Sequence, residues 1–142
     1  MRTEPAFHGA KLLLLTGDSL ISLLRDDVPH IPWPGYWDFP GGEREGDESP
    51  AACALRETHE ELGLSLAEER LTWRRVFHNQ QGRAMWFFAA RIAAQEVEQI
   101  VFGDEGQGWA VMRVADYLSH PKTIPPLQDR LRDYLAEVGA GV

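Results

Sequence analysis

Cysteine is almost missing from this chain. Cys53 is the only one, so no disulfide can form within it, and a lone thiol suits a reducing compartment; a cytoplasmic protein is the expectation. Long apolar runs are missing too. None approaches the roughly 18 residues that a membrane span needs, and the N-terminus lacks the pattern of a secretory leader. Positive charge is in short supply: 14 Lys and Arg stand against 22 Asp and Glu, a formal net charge of −8. Neither a nucleic-acid polymer nor a membrane is therefore an expected partner. An acidic protein can still act on a small nucleotide where cations neutralise the site locally. No internal repeat or low-complexity tract interrupts the chain. With 142 residues, 44% hydrophobic and 25% charged, it reads as one domain over 1–142 with a core of its own, monomeric or homodimeric.

What the chain does have is concentrated between Gly42 and Leu64. A glycine turn leads into a short acidic loop, and the loop into a helix. Ser49 is a good N-cap, Pro50 fits the first helical position, Ala51 to Leu62 is rich in strong helix formers, and Gly63 suits the left-handed position that ends a helix. At about 100° per residue, Ala52, Leu55, His59 and Leu62 share one face, which is expected to pack. Glu57, Glu60 and Glu61 fall together on a different face. Like charges at these spacings each cost an isolated helix roughly 0.2–0.5 kcal/mol, and Arg56, four residues before Glu60, offsets only part of that. A hard cation such as Mg²⁺, which takes oxygen ligands, is the natural counter-charge; a solvated acidic face is the alternative reading of the charges alone.

Along the rest of the chain, Lys11–Thr16 and Ser19–Arg25 read as a hairpin turning at Gly17-Asp18, after a loose lead-in over Met1–Gly9. Asp26–Gly35 holds three prolines and reads as a loop. Tyr36–Phe39 is a short strand running into Pro40-Gly41-Gly42. Leu71–Asn79 and Ala84–Ala93 form a second hairpin around Gln80–Arg83. Gln95–Asp104 is a polar connection, Gly103–Gly108 a glycine-rich loop, Trp109–Val114 a strand, and Ala115–Ser119 a short helix. Leu127, Leu131 and Leu135 mark a final amphipathic helix. The order suggests a mixed sheet between helical layers. His8, His30, His59, His78 and His120 have no metal-ligand spacing, and nothing in the sequence offers Cys53 an activating base.

The central stretch resembles the Nudix box, G-x5-E-x7-R-E-U-x-E-E-x-G-U, with U a bulky apolar residue. The fixed positions fall on Gly42, Glu48, Arg56, Glu57, Glu60, Glu61 and Gly63, and the last U is Leu64. Thr58 at the first U is the one departure; it is expected to pack there with some loss of burial. The aromatic strand ending in Pro40-Gly41-Gly42 is similar to the segment that precedes the box in that family. The resemblance implies an α/β/α sandwich and an enzyme that hydrolyses a nucleoside diphosphate linked to another group, by water attack on phosphorus with Mg²⁺ or Mn²⁺.

Carried over residue by residue, the resemblance assigns metal binding to Glu57, Glu60, Glu61 and the Gly41 carbonyl, with Glu57 also a candidate general base. Glu48 and Arg56 become an orienting pair. Gly42 and Gly63 are structural. Glu105, in the glycine-rich loop, is a further candidate for ligand or base, against an ordinary exposed loop acid. Trp33 and Trp37 could stack on a nucleobase, although at least one of them reads better as core. Family members selective for ADP-ribose or dinucleoside polyphosphates often carry a proline or a tyrosine past the box; His78-Asn79-Gln80-Gln81 has neither. With no extra N-terminal domain, that leans towards a nucleoside triphosphate. An ADP-ribose or nucleotide-sugar pyrophosphatase and a non-catalytic nucleotide sensor stay open. An isoprenoid diphosphate isomerase would want a cysteine outside the box.

Overall fold

The computed structural model describes residues 6–139, so residues 1–5 of the expected lead-in lie outside the described residues. The two hairpins form as read: β1 (Gly9–Thr16) with β2 (Ser19–Leu24), and β5 (Trp73–His78) with β6 (Ala84–Arg91). Between them lie β3 (Trp37–Asp38), β4 (Gly41–Glu43) and α1 (Pro50–Leu62). α2 (Ala94–Val97), β7 (Gly108–Arg113), α3 (Val114–Ser119) and α4 (Pro125–Val138) follow. Three elements differ from the sequence reading, one of them a short 3-10 turn at Glu68–Arg70. α2 falls in the supposed plain connection, because a single turn is too short to display a period. β4 replaces the expected turn at the two glycines, where Gly41–Glu43 pairs antiparallel with Gly9–Lys11.

Among the described residues the strands make a seven-stranded mixed sheet. β1 runs parallel to β6 along Gly9–Leu15. On its other side β1 meets β2 only beside the turn, through Leu15–Leu20 and Thr16–Ser19. Beyond those pairs the two strands part. β4 takes the edge of β1, and β3 takes the edge of β2 through Leu23–Asp38 and Leu24–Trp37. Phe39 and Pro40 cross the opening, and the Pro40 carbonyl accepts the Leu12 N–H at 2.8 Å. The site forms around this split.

Side chains alternate across the sheet, so each face has its own core. α1 covers Ala10, Leu12, Leu14, Ile21 and Phe88. α3 and α4 cover Leu13, Leu15, Leu20, Phe39 and Phe87 with Tyr117, Leu127, Leu131 and Tyr134. This is the α/β/α arrangement.

α1 begins and ends as its sequence indicates. Ser49 Oγ accepts the Ala52 N–H at 3.1 Å, and Gly63, at φ 70°, donates its N–H to the His59 carbonyl at 2.8 Å. Its packing face is not the one expected. Ala52 and His59 are exposed; Pro50, Ala51, Cys53, Ala54, Thr58 and Leu62 are buried. The helix is rotated so that small side chains meet the sheet, and Glu57 and Glu61 lie within this face rather than on a different one. Thr58 is fully buried, with no loss of burial at the departing position, and its Oγ1 donates to the Ala54 carbonyl at 2.8 Å.

That hydroxyl bonds a carbonyl of its own helix, so little depends on it. Thr58→Val should keep the packing and leave stability within about 1 kcal/mol of wild type, with any shift upward. Denaturant unfolding checks this, and a loss well beyond that range would show a tighter polar role.

Candidate active site

Arg56 is the centre from which the site is built. Its Nε and Nη2 fork onto Glu48 at 3.1 and 2.9 Å. Nη1 donates to Glu57 and to Glu60, both at 3.1 Å, and Nη2 also reaches the Glu43 carbonyl at 2.9 Å. All five guanidinium donors are thereby used. Glu48 accepts in turn from the Glu45 N–H at 2.9 Å, and the Arg56 guanidinium holds its carboxyl below the usual range. One side chain thus ties β4, the acidic loop and α1 together.

The other glutamates approach the split in the sheet. Glu61 Oε1 accepts the Gly41 N–H at 2.9 Å. Burial pushes the Glu61 carboxyl up to about 8, opposed by the Gly41 amide and by Lys11. Burial also raises Glu57, opposed by Arg56. Two glycines make these approaches possible. Gly41 sits at φ 136° with β1 so close that an added Cβ would lie 2.3 Å from the Ala10 carbonyl oxygen. At Gly42 a Cβ would lie 2.7 Å from Glu57 Cδ, so the carboxylate packs directly on the backbone.

A cavity of about 340 Å³ opens here, lined by Glu45, Glu57, Glu60, Glu61, Asp104 and Glu105, with no basic side chain in its wall. An all-oxygen, all-acidic lining is the donor chemistry of a hard divalent cation. Among the described residues, no three acidic, histidine or cysteine side chains already stand close enough to hold a metal ion. Arg56 and the Gly41 amide engage Glu57 and Glu61.

Glu105 reaches this wall because its loop is anchored at both ends. Val101 and Gly103 donate their N–H groups to the carbonyls of Leu62 and Glu61 at the end of α1, both at 2.9 Å. Gln107 N–H bonds the Leu24 carbonyl at 2.8 Å. Glu105 also lines a second cavity, about 170 Å³, with Arg25, Asp26, Asp38 and Glu61. Glu45 and Asp104 are not among the candidates from the sequence; Asp104 precedes Glu105, and Glu45 lies in the acidic loop of the box.

The two tryptophans separate. Trp37 lies in β3 against the α4-side core and lines none of these cavities. Trp33 is 39% exposed and, among the described residues, is the one non-glycine at positive φ, 51°. It borders a largely apolar cavity of about 380 Å³ with Phe77, His78, Gln81, Phe87 and Arg130. Nothing local in the sequence signals this pocket, whose walls come from separate elements. Cys53 is fully buried, with its thiol pushed up to about 12 by burial and then by Glu48, which leaves it inert.

A buried ion cluster had also gone unnoticed. Asp38 is 5% exposed and accepts from Lys11 Nζ and Arg25 Nη1, each at 3.0 Å, and from the Phe39 N–H at 2.7 Å. A charged residue flanked by Trp37 and Phe39 was the available signal.

Set against known proteins, the chain matches the model of the NUDIX domain over residues 7–135. It is 44% identical over 34 residues to an 8-oxo-dGTP diphosphatase of Proteus vulgaris, covering 24% of this chain and 30% of that protein. It is 31% identical over 104 residues to an uncharacterized Nudix hydrolase of Pseudomonas aeruginosa, covering 67% of this chain and 61% of that one. The chain thus spans less than two thirds of these relatives. In fold it resembles a bifunctional NMN adenylyltransferase/ADP ribose pyrophosphatase of Francisella tularensis, complexed with AMP and a Mn ion, at a TM-score of 0.73 and 19% identity over 96% of this chain and 43% of that one. With the family model covering most of its length, the chain belongs to the NUDIX family.

Proposed function

We propose that this chain is a divalent-metal-dependent hydrolase of a small nucleotide, cleaving a phosphoanhydride by water attack on phosphorus, with a nucleoside triphosphate as the preferred substrate. The observation that carries the reading is the acidic cavity at the sheet split, with Glu57, Glu60 and Glu61 on one helix beside Gly41. The relatives' names agree in class: a nucleotide diphosphatase, and a fold neighbour holding AMP and Mn.

Glu57, Glu60, Glu61 and the Gly41 carbonyl would hold Mg²⁺ or Mn²⁺, which would orient water and neutralise phosphate charge. In this reading Glu57 takes the proton of the attacking water, supported by the basicity that burial gives it, and Glu105 is a second candidate. Arg56 orients rather than reacts, because all its donors are engaged in the protein. Trp33 offers a base its exposed face at the rim of the apolar cavity. That cavity is within reach of the phosphate end. Phe87 in its wall is paired with Lys11, and Lys11 with Gly41, a separation of two strand spacings, about 10 Å.

Three outcomes follow. A panel of nucleoside triphosphates, ADP-ribose and dinucleoside polyphosphates should show release of phosphate or pyrophosphate in Mg²⁺ or Mn²⁺, fastest with a triphosphate. Full turnover in excess chelator would overturn the reading, and binding without turnover would mark a sensor. Trp33→Ala should raise KM with kcat nearly kept, since stacking on a base contributes roughly 1–3 kcal/mol; an unchanged KM would exclude Trp33 from the substrate.

Glu61 gives a pH test. Its folded value of about 8 lies above the ordinary 4.5, so between the two the folded protein keeps a proton that the unfolded chain releases. Stability of the metal-free protein should therefore fall as pH rises through that window. Glu61→Gln can still accept the Gly41 N–H but cannot ionise. In chelator its melting point should match wild type near pH 5 and exceed it near pH 8, while turnover with metal falls by orders of magnitude. A variant that melts below wild type at pH 8 yet keeps its turnover would remove Glu61 from the metal site.

A further inference from the structure

Lys11 is one of two lysines in the chain, and the proposed reaction gives it no part. Its side chain is 17% exposed and lies at the edge of the sheet split, on the strand paired with Gly41. Two carboxylates bear on it there, one in contact and one through its charge alone. One is Asp38, which Lys11 contacts at 3.0 Å. The other is Glu61, whose Oε1 bonds the Gly41 N–H. Lys11 pairs with Asp38, and Asp38 is held in turn by Arg25 Nη1 at 3.0 Å and by the Phe39 N–H at 2.7 Å.

Asp38 is itself fixed to the sheet. Its carbonyl accepts from Ser22 Oγ at 3.2 Å, and its side chain is 7% exposed. Arg25 also donates through Nε to the Pro32 carbonyl, beside Trp33 in the next position. The cluster therefore joins β1, the end of β2, the loop of Trp33 and the Phe39–Gly41 crossing. A half-buried ammonium without a partner is costly, and the four-carbon lysine stem lets it swing to the nearest carboxylate. Lys11 is among the charges that act on Glu61, so that carboxylate is within its electrostatic reach.

We infer that Asp38 is a positioning residue: by engaging Lys11 it keeps the ammonium off Glu61 and leaves that carboxylate free for the divalent cation. The inference rests on the reading of Glu61 as a cation ligand, and goes beyond it by giving a role to two residues outside the acidic cavity, Asp38 and Lys11. Neutralising Asp38 should release Lys11 to neutralise Glu61 as an internal competitor of the metal. Removing Lys11 as well should restore the site. A merely structural role for Asp38 predicts no such recovery.

Direct Mn²⁺ binding to the purified full chain, read from the free-ion signal in electron paramagnetic resonance, tests this without relying on turnover. Asp38→Asn keeps the shape and an oxygen for the Phe39 N–H. Its Mn²⁺ dissociation constant should rise about 10- to 100-fold, the usual scale for losing a residue that orients a ligand. The double variant with Lys11→Gln should return to near the wild-type constant. Lys11→Gln alone, in which Asp38 keeps Arg25, should bind Mn²⁺ as wild type or more tightly, and it decides the matter if Asp38→Asn does not fold. Unchanged binding by Asp38→Asn, no recovery in the double variant, or weakened binding by Lys11→Gln alone would each overturn the inference. Wild-type protein that binds no Mn²⁺ would instead overturn the proposed metal site.

Discussion

The site depends on one guanidinium having no donor to spare. Arg56 bridges Glu48 in the loop, Glu43 in β4 and Glu57 and Glu60 in the helix, and each of its N–H groups has an acceptor. Three acidic side chains, Glu48, Glu57 and Glu60, crowd around it, with Glu45 as a fourth at 3.5 Å. Their mutual repulsion would open the loop from the helix if the cation were absent. A planar fork on Glu48 fixes direction as well as charge, which a lysine ammonium could not do.

The second constraint is the parting of β1 and β2. A continuous sheet would have closed the space that now holds Glu61 from one side and the Lys11–Asp38–Arg25 cluster from the other. Two short strands line the opening, and the Pro40-Gly41-Gly42 crossing joins its banks. Across the same split, Gly41, which bonds Glu61, stands about two strand spacings from Phe87 in the wall of the Trp33 pocket.

The box was legible because its chemistry is local. Ser49, Pro50 and Gly63 mark the helix by cap and turn rules, and Glu57, Glu60 and Glu61 follow from its period. The orientation of that helix was misread. Ala52 and His59 looked like a packing face, whereas the sheet takes the small residues Ala51, Cys53, Ala54 and Thr58. A wheel gives the relative angles of side chains, not which arc meets the sheet. β4 was hidden because two glycines read as a turn until a partner strand is known. The ion cluster and the apolar pocket join residues far apart in sequence, such as Lys11 with Asp38 and Trp33 with Arg130. No local rule reports such meetings.

The hydrogen bonds from Val101 and Gly103 to the last carbonyls of α1 have a consequence for how the protein opens. Helix ends and long loops ordinarily fray independently. Here the final turn of the helix lends its carbonyls to the loop, and the loop lends its amides to the helix, so neither can come undone without freeing polar groups on the other. The segment carrying Glu105 and the turn carrying Glu60 and Glu61 therefore open and close as one cooperative unit. Whatever grips either end tightens both.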